Sequence, residues 1–292
     1  MRARTTWISA QGEPTATLLL RHGQTPMSVQ KRYAGLSPKT DAPLTDAGVR
    51  QAVAAAKRLA SAGIDAIVAS PLQRTVRTAE EVAAVTGVPV LTDEGFRETD
   101  FGAWEGLTFA EVRERWPSEV TTWLADPSVA PPGGESFTQV SERVTAALHR
   151  ILAERAHQTV LIVSHVTPIK TLVAAALLAP PAALYRMHLD VAALCEIDWY
   201  ADGPAVLRSF NDTAHLHFLY HRQRRGIRPN VAITPVNLQR KQICRQARRK
   251  WLRRQVPHFR TRESFLPERS PQRLWPYGSL LFRHSPTGRG WS

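Results

Sequence analysis

From Thr17 onward the apolar residues of this chain follow two alternating rhythms: short unbroken runs, and longer stretches in which they recur every three or four positions. A short run fits a strand buried on both faces, and the wider spacing fits an amphipathic helix. Thr17–His22, Ile64–Ala69, Val88–Leu91 and Thr159–His165 read as strands, and Val191–Trp199 and Ala205–Phe210 close the pattern around an Asp202-Gly203-Pro204 turn. Between them, Val49, Ala52/Val53, Ala56 and Leu59/Ala60 share one face of a helix that Thr45 caps and Gly63 stops near Ala62. Ser70-Pro71 reads as a cap with proline in the first turn of a helix reaching Thr86, and Thr167-Pro168 reads the same way further on. Phe109–Trp116 and Ser136–Arg155 are further helices, whereas Gly95–Gly106 fits neither rhythm and is expected to line a site. Strands alternating with helices predict an α/β fold, a three-layer αβα sandwich on a mostly parallel sheet.

Charge divides the chain more sharply than hydropathy does. Lys and Arg number 38 against 25 acids, a net +13. Yet residues 221–292 hold 18 of those bases and only two acids, so the first 220 carry 20 bases against 23 acids, a net −3. The basic character belongs to the tail and says little about what the domain binds. Residues 1–16 read as a leader or linker remnant, 17–216 as the domain, and 221–292 as a basic, disordered tail punctuated by seven prolines. A nucleic-acid or membrane-surface arm is the functional reading of that tail, and the composition favours the plainer one. Two cysteines, Cys195 and Cys244, cannot build a disulfide framework and fit a reducing, cytoplasmic setting. No apolar run is long enough to span a membrane, and no signal-peptide core precedes Thr17.

Two of the strands end in histidine, His22 and His165, and so deliver imidazoles to the rim of a sheet, where open α/β folds keep their ligand sites. Arg21 beside His22 supplies a guanidinium for an anion, and Gly23 lets backbone approach a ligand closely. Arg74 lies one turn past Ser70, and His165 just before Thr167. Both are at expected helix N-termini, each worth ~0.3 to 1 kcal/mol to an anion. A neutral imidazole can attack phosphorus and form a phosphohistidine, and His22 is the candidate. Arg21, Arg74 and a protonated His165 would hold the transferred oxygens, a task for fixed donors and not for a metal or cofactor. Glu98 is the acid best placed to protonate the leaving group, with Asp100 and Glu105 as competitors. Singly, each histidine also fits a structural role at a strand end. Arg77 reads as solvated or structural, Trp104 as core or lid, His149, His157 and His188 as surface or packing residues, and Cys195 as a buried inert thiol.

The ordered motifs LRHGQT, SPLQRTVRTAE, RETDFGAWEG, PPGGES and VSH resemble those of the histidine phosphatase superfamily, the phosphoglycerate-mutase-like proteins, across about Thr17 to Leu216. The resemblance implies that His22 is the phosphorylated nucleophile, Glu98 the proton donor, and Arg21, Arg74 and His165 the phosphate pocket. It also implies substrate contacts at Gln24, Thr25, Ser28, Gly35 and Thr167, no cofactor, and a small phosphorylated metabolite as substrate. FGAWEG is similar to the acid phosphatase and α-ribazole phosphatase branch, and VSHVTPIK to the phosphatase half of actinobacterial ribonuclease H/acid phosphatase fusions. With 16 residues ahead of the first strand, no ribonuclease H half is expected here. Ser28 stands where mutases carry Asn, Ala34-Gly35 where Ser-Gly is common, and Thr167 where Gly is frequent, a replacement read here as a helix cap. The expected activity is metal-independent phosphomonoester hydrolysis. A phosphoglycerate mutase, and a non-catalytic nucleic-acid-binding protein acting through the tail, are the alternatives.

Overall fold

The computed structural model describes residues 12–219. The tail at 221–292, with any nucleic-acid role for it, and most of the 1–16 segment lie outside the described residues. Six strands form one mixed sheet in the order β3-β2-β4-β1-β5-β6, where β1 is Thr15–Arg21, β2 Ala66–Ala69, β3 Val90–Thr92, β4 Thr159–Ser164, β5 Leu194–Trp199 and β6 Ala205–Asp212. The four strands β1 to β4 run parallel, and β5 and β6 close the edge antiparallel. The sheet is therefore mostly parallel, as the alternating rhythm requires. Strand β1 starts at Thr15, two residues before the expected onset, with Thr15 and Ala16 buried.

Alternate residues along the buried runs feed two separate cores, the period-2 consequence of the pleat. Leu19, Val68, Ile162, Cys195 and Ile197 pack under helices α6 (Phe137–Glu154) and α7 (Val166–Ala176). Leu20, Ile67, Leu161 and Val163 pack under α2 (Asp46–Leu59) and α3 (Gln73–Thr86). A third cluster, built on Phe101, Trp104, Val112, Val120, Trp123 and Phe137, gathers α4 (Phe109–Arg115) and α5 (Pro117–Ala125) with the start of α6. Trp104 is core there. Among the described residues no helix is long and apolar enough to cross a membrane.

Three local expectations are corrected. Ser70 does not cap α3: the helix starts at Gln73, its cap position is Leu72 with no side-chain cap, and the Ser70 hydroxyl points to His165 instead. Thr167 does not cap α7 either, since His165 occupies the cap position and Thr167 lies inside the first turn. The expected strand over Val191–Trp199 starts only at Leu194, because Ala192 takes a left-handed φ of 55° that no strand accommodates. Two short helices, α1 (Pro26–Gln30, capped by Thr25) and α5, carry too few turns to leave a periodic signature.

Candidate active site

Register places the two histidines. Arg21 of β1 pairs with Ser164 of β4, so the next residue on each strand, His22 and His165, leaves the sheet side by side with ring centroids 5.2 Å apart. The His22 Nδ1–H donates to the carbonyl of Gly23 at 2.8 Å, which fixes the tautomer and leaves Nε2 with its lone pair. Burial, then the positive charges of Arg74 and Arg21, hold the His22 imidazole well below its usual range. A buried, neutral imidazole with Nε2 unprotonated is a competent nucleophile. Gly23 serves a purpose other than the one expected: a Cβ there would meet the backbone oxygen of Gly48 at 2.5 Å, so it admits the start of α2 and not a ligand.

Around His22, three cationic or donor groups are anchored from behind and each keeps one buried atom without a protein partner. Arg21 donates from one terminal nitrogen to Leu189 O at 2.6 Å, and its Nε is unpartnered. Arg74, 1% exposed, spends its terminal nitrogens on Asp41 and on the carbonyls of Ala34 and Gly35, again leaving Nε. The His165 Nε2 contacts Ser70 Oγ at 2.8 Å and its Nδ1 is unpartnered. Burial, with Arg74 and His22, also keeps His165 well below the usual imidazole range. In the free protein His165 is thus neutral rather than protonated. A Ser70 hydroxyl donating to Nε2 makes Nδ1 the N–H donor, so a neutral ring can still bind an anion. Burial lowers the Arg21 guanidinium to about 10, which leaves it charged at neutral pH.

Glu98 is 6% exposed and accepts three backbone N–H groups: Oε1 from Thr99 at 2.9 Å and Thr167 at 3.3 Å, Oε2 from Val166 at 3.1 Å. Two of these are the free amides of the α7 first turn, so Glu98 performs the capping expected of Thr167. Its two competitors are occupied elsewhere. Asp100 accepts Gly102 N, and Glu105 accepts Leu36 N, Ser37 N and Thr40 Oγ1, tying down the loop that carries Asp41 to Arg74.

His22, Arg21 and Glu98 open onto a cavity of about 410 Å³ whose wall also includes Thr25, Ser28, Thr167 and Lys170, with Tyr33, Phe101, Trp123, Phe137 and Tyr185 as an aromatic side. Three of the five expected substrate contacts, Thr25, Ser28 and Thr167, therefore face it. Gln24 and Gly35 do not. Gln24 is turned to Thr45 and Gln51, and Gly35 is pressed against Glu105 and the Thr99 carbonyl, where no Cβ fits.

Residues 17–213 match the histidine phosphatase superfamily, branch 1. The chain belongs to this superfamily. The bifunctional protein Rv2228c of Mycobacterium tuberculosis is 50% identical over 211 residues, which are 72% of this chain and 57% of the relative. The chain thus spans little more than half of that protein's length. Phosphoserine phosphatase 1 of Hydrogenobacter thermophilus is 31% identical over 211 residues, 72% of this chain and 98% of the relative. A mycobacterial glucosyl-3-phosphoglycerate phosphatase solved with VO3 superposes with a TM-score of 0.63 at 31% identity, covering 68% of this chain and 100% of the other.

Several residues that shape the site gave no sequence signal of their own. Ser70 orients His165, although its SP pair reads as a helix cap. Arg143 donates to the carbonyls of Gly95, Arg97 and Glu98 and forms a two-point ion pair with Glu135, which in turn accepts Asp100 N. It is one Arg on a charged helix face in sequence and the fastener of the Glu98 loop in space. Lys170 sits in the quoted VSHVTPIK, and helical spacing from Val166 could have placed it on the cavity side. Arg77, itself exposed, pairs with Glu80 and Glu81, and the Cys195 thiol, fully buried, is pushed up to about 11, both as expected.

Proposed function

We propose that this chain hydrolyses a phosphomonoester in two steps through a phosphohistidine on His22. The observation that carries the reading is an unprotonated His22 Nε2 beside His165 and under the charges of Arg74 and Arg21, with Arg21 Nε, Arg74 Nε and His165 Nδ1 each buried without a protein partner. Nε2 attacks phosphorus as the P–O bond to the alcohol breaks. The donors hold the three equatorial oxygens while charge redistributes, and because they are anchored from behind they need not reorganise. A proton from Glu98 passes to the departing alkoxide, and Oε2, which accepts only one amide, is the oxygen with room for it. Water then attacks phosphorus, Glu98 takes its proton, the P–N bond breaks, and phosphate leaves.

Membership of a superfamily with named phosphatases among its relatives supports this reading, and the resemblance of FGAWEG to the acid phosphatase and α-ribazole phosphatase branch narrows it. A mutase must instead keep water from the phosphoenzyme. Phosphate release in the presence of EDTA from p-nitrophenyl phosphate, α-ribazole phosphate and 3-phosphoglycerate, scored beside isomerisation of the last, tests the proposal. Release is expected with wild type, and loss of at least ~10³-fold in His22→Ala, the scale on which removing a nucleophile acts. Isomerisation without release, or a His22→Ala protein that retains most activity, overturns it.

A further inference from the structure

We propose that Lys170 forms an anion subsite at the leaving-group end of the cavity. This histidine phosphatase then favours phosphomonoesters whose alcohol carries a second anionic group, a carboxylate or a phosphate. The proposal rests on the hydrolase reading above and adds the class of substrate.

Val166, Thr167 and Lys170 present one face of α7 to the cavity, so Lys170 stands one turn further from the transfer site than the amides that bind Glu98. Its side chain is partly buried, and desolvation lowers its ammonium from the usual value, with Arg21 adding to the shift and Glu98 opposing it. An ammonium has three N–H donors, and among the described residues the hydrogen bond it makes is to the Leu184 carbonyl at 3.2 Å. Glu98, the acid that favours its charge, is itself held by three amides. A desolvated cation with donors to spare gains most from an anion brought by the ligand.

Much of the remaining wall is apolar or already bonded, the Tyr185 hydroxyl donating to the Trp123 carbonyl at 2.7 Å. Phe101, Trp123, Phe137 and Leu184 offer apolar surface. Arg32, the other cation away from the transfer site, is already paired with Glu111 at 2.9 Å and bonded to the Gly106 carbonyl at 2.7 Å. Among the described residues Arg32 has a carboxylate partner and Lys170 has none within ion-pair distance, so an anion on the leaving group is read first by the Lys170 ammonium, which turns it into a selector between charged and neutral alcohols.

Calorimetric binding of three compounds to the full chain carrying His22→Ala tests this without turnover. Glycerol 3-phosphate and 3-phosphoglycerate differ only in replacing a hydroxymethyl by a carboxylate, and glycerol 1,3-bisphosphate keeps the 2-hydroxyl and places a second phosphate on that hydroxymethyl. At least one of the two anionic compounds is expected to bind ~10-fold or more tighter than glycerol 3-phosphate. Adding Lys170→Met should cut that ratio ~10-fold, and Lys170→Arg should keep it within ~3-fold, since charge and not shape is being read. A carboxylate ligand is indicated if 3-phosphoglycerate shows the advantage, a second phosphate if the bisphosphate does. A ratio near one before Lys170 is changed, or a ratio that survives Lys170→Met, overturns the subsite. Failure of wild type to release phosphate overturns the hydrolase reading separately, because the binding ratio is read whether or not turnover occurs.

Discussion

At the scale of single residues, the site depends on keeping two imidazoles neutral in a positively charged, buried setting. Burial and Arg74 act in the same direction on His22 and His165, so neither ring takes a proton near neutral pH in the free protein. A nucleophile of depressed pKa stays unprotonated as the medium becomes acid and loses its lone pair only when pH falls through that depressed value. The acid limb of kcat/KM, corrected for the substrate's own ionisation, should therefore lie well below 6.5. An enzyme-derived limb at the ordinary histidine value would contradict the environment described for His22. Carbonyl oxygens hold Arg21 and Arg74 from behind, and Asp41 pairs with Arg74, which offsets part of that crowding of positive charge.

At the scale of elements, the segment between β3 and α4 has two short 3-10 turns of its own, Glu94–Phe96 and Gly102–Trp104, and α6 reaches across to hold the stretch between them. Arg143 donates to three of the segment's carbonyls and pairs with Glu135, and Glu98 rides on that scaffold into the first turn of α7. Arg143 touches no cavity surface, so it is a positioning residue. Arg143→Ala should lower kcat most where the leaving group needs a proton. Alkyl phosphates should lose ~10² or more, the lower end of what acid catalysis contributes, and p-nitrophenyl phosphate, whose alcohol leaves readily as an anion, far less. An equal loss on both substrates, in a protein of unchanged circular dichroism, would mean that the loop does not act through Glu98.

At the scale of the whole molecule, burying the two neutral histidines links folding to pH. In the unfolded chain both titrate near 6.5, and in the folded chain both titrate well below it. Between those values the unfolded state binds more protons, so their contribution to stability is fully present above about 6.5 and is lost as pH falls. Each can remove up to ~1.4 kcal/mol per pH unit until its folded pKa is reached. Denaturation at pH 7 and 5.5 should show a steeper loss in wild type than in His22→Gln or His165→Gln. Equal slopes in all three would show that the rings are not buried neutral.

The alternating rhythm of apolar runs and helical faces determined the αβα architecture, because a strand covered on both faces and a helix covered on one leave different periods in the chain. The RHG, SPLQRT, RET and VSH signals likewise named His22, Arg74, Glu98 and His165, since side chains that carry chemistry sit at fixed offsets from the element ends that aim them. What the sequence could not decide was adjacency between distant segments. The β1–β4 register set His22 beside His165, the close approach of Gly23 to Gly48 accounts for a glycine that looked ligand-facing, and the α7 amides claimed Glu98 in place of a cap by Thr167. Ser70, Arg143 and Lys170 took their places for the same reason. A hydroxyl, a guanidinium and an ammonium acquire a task only from the partner folded against them, and that partner lies up to 95 residues away.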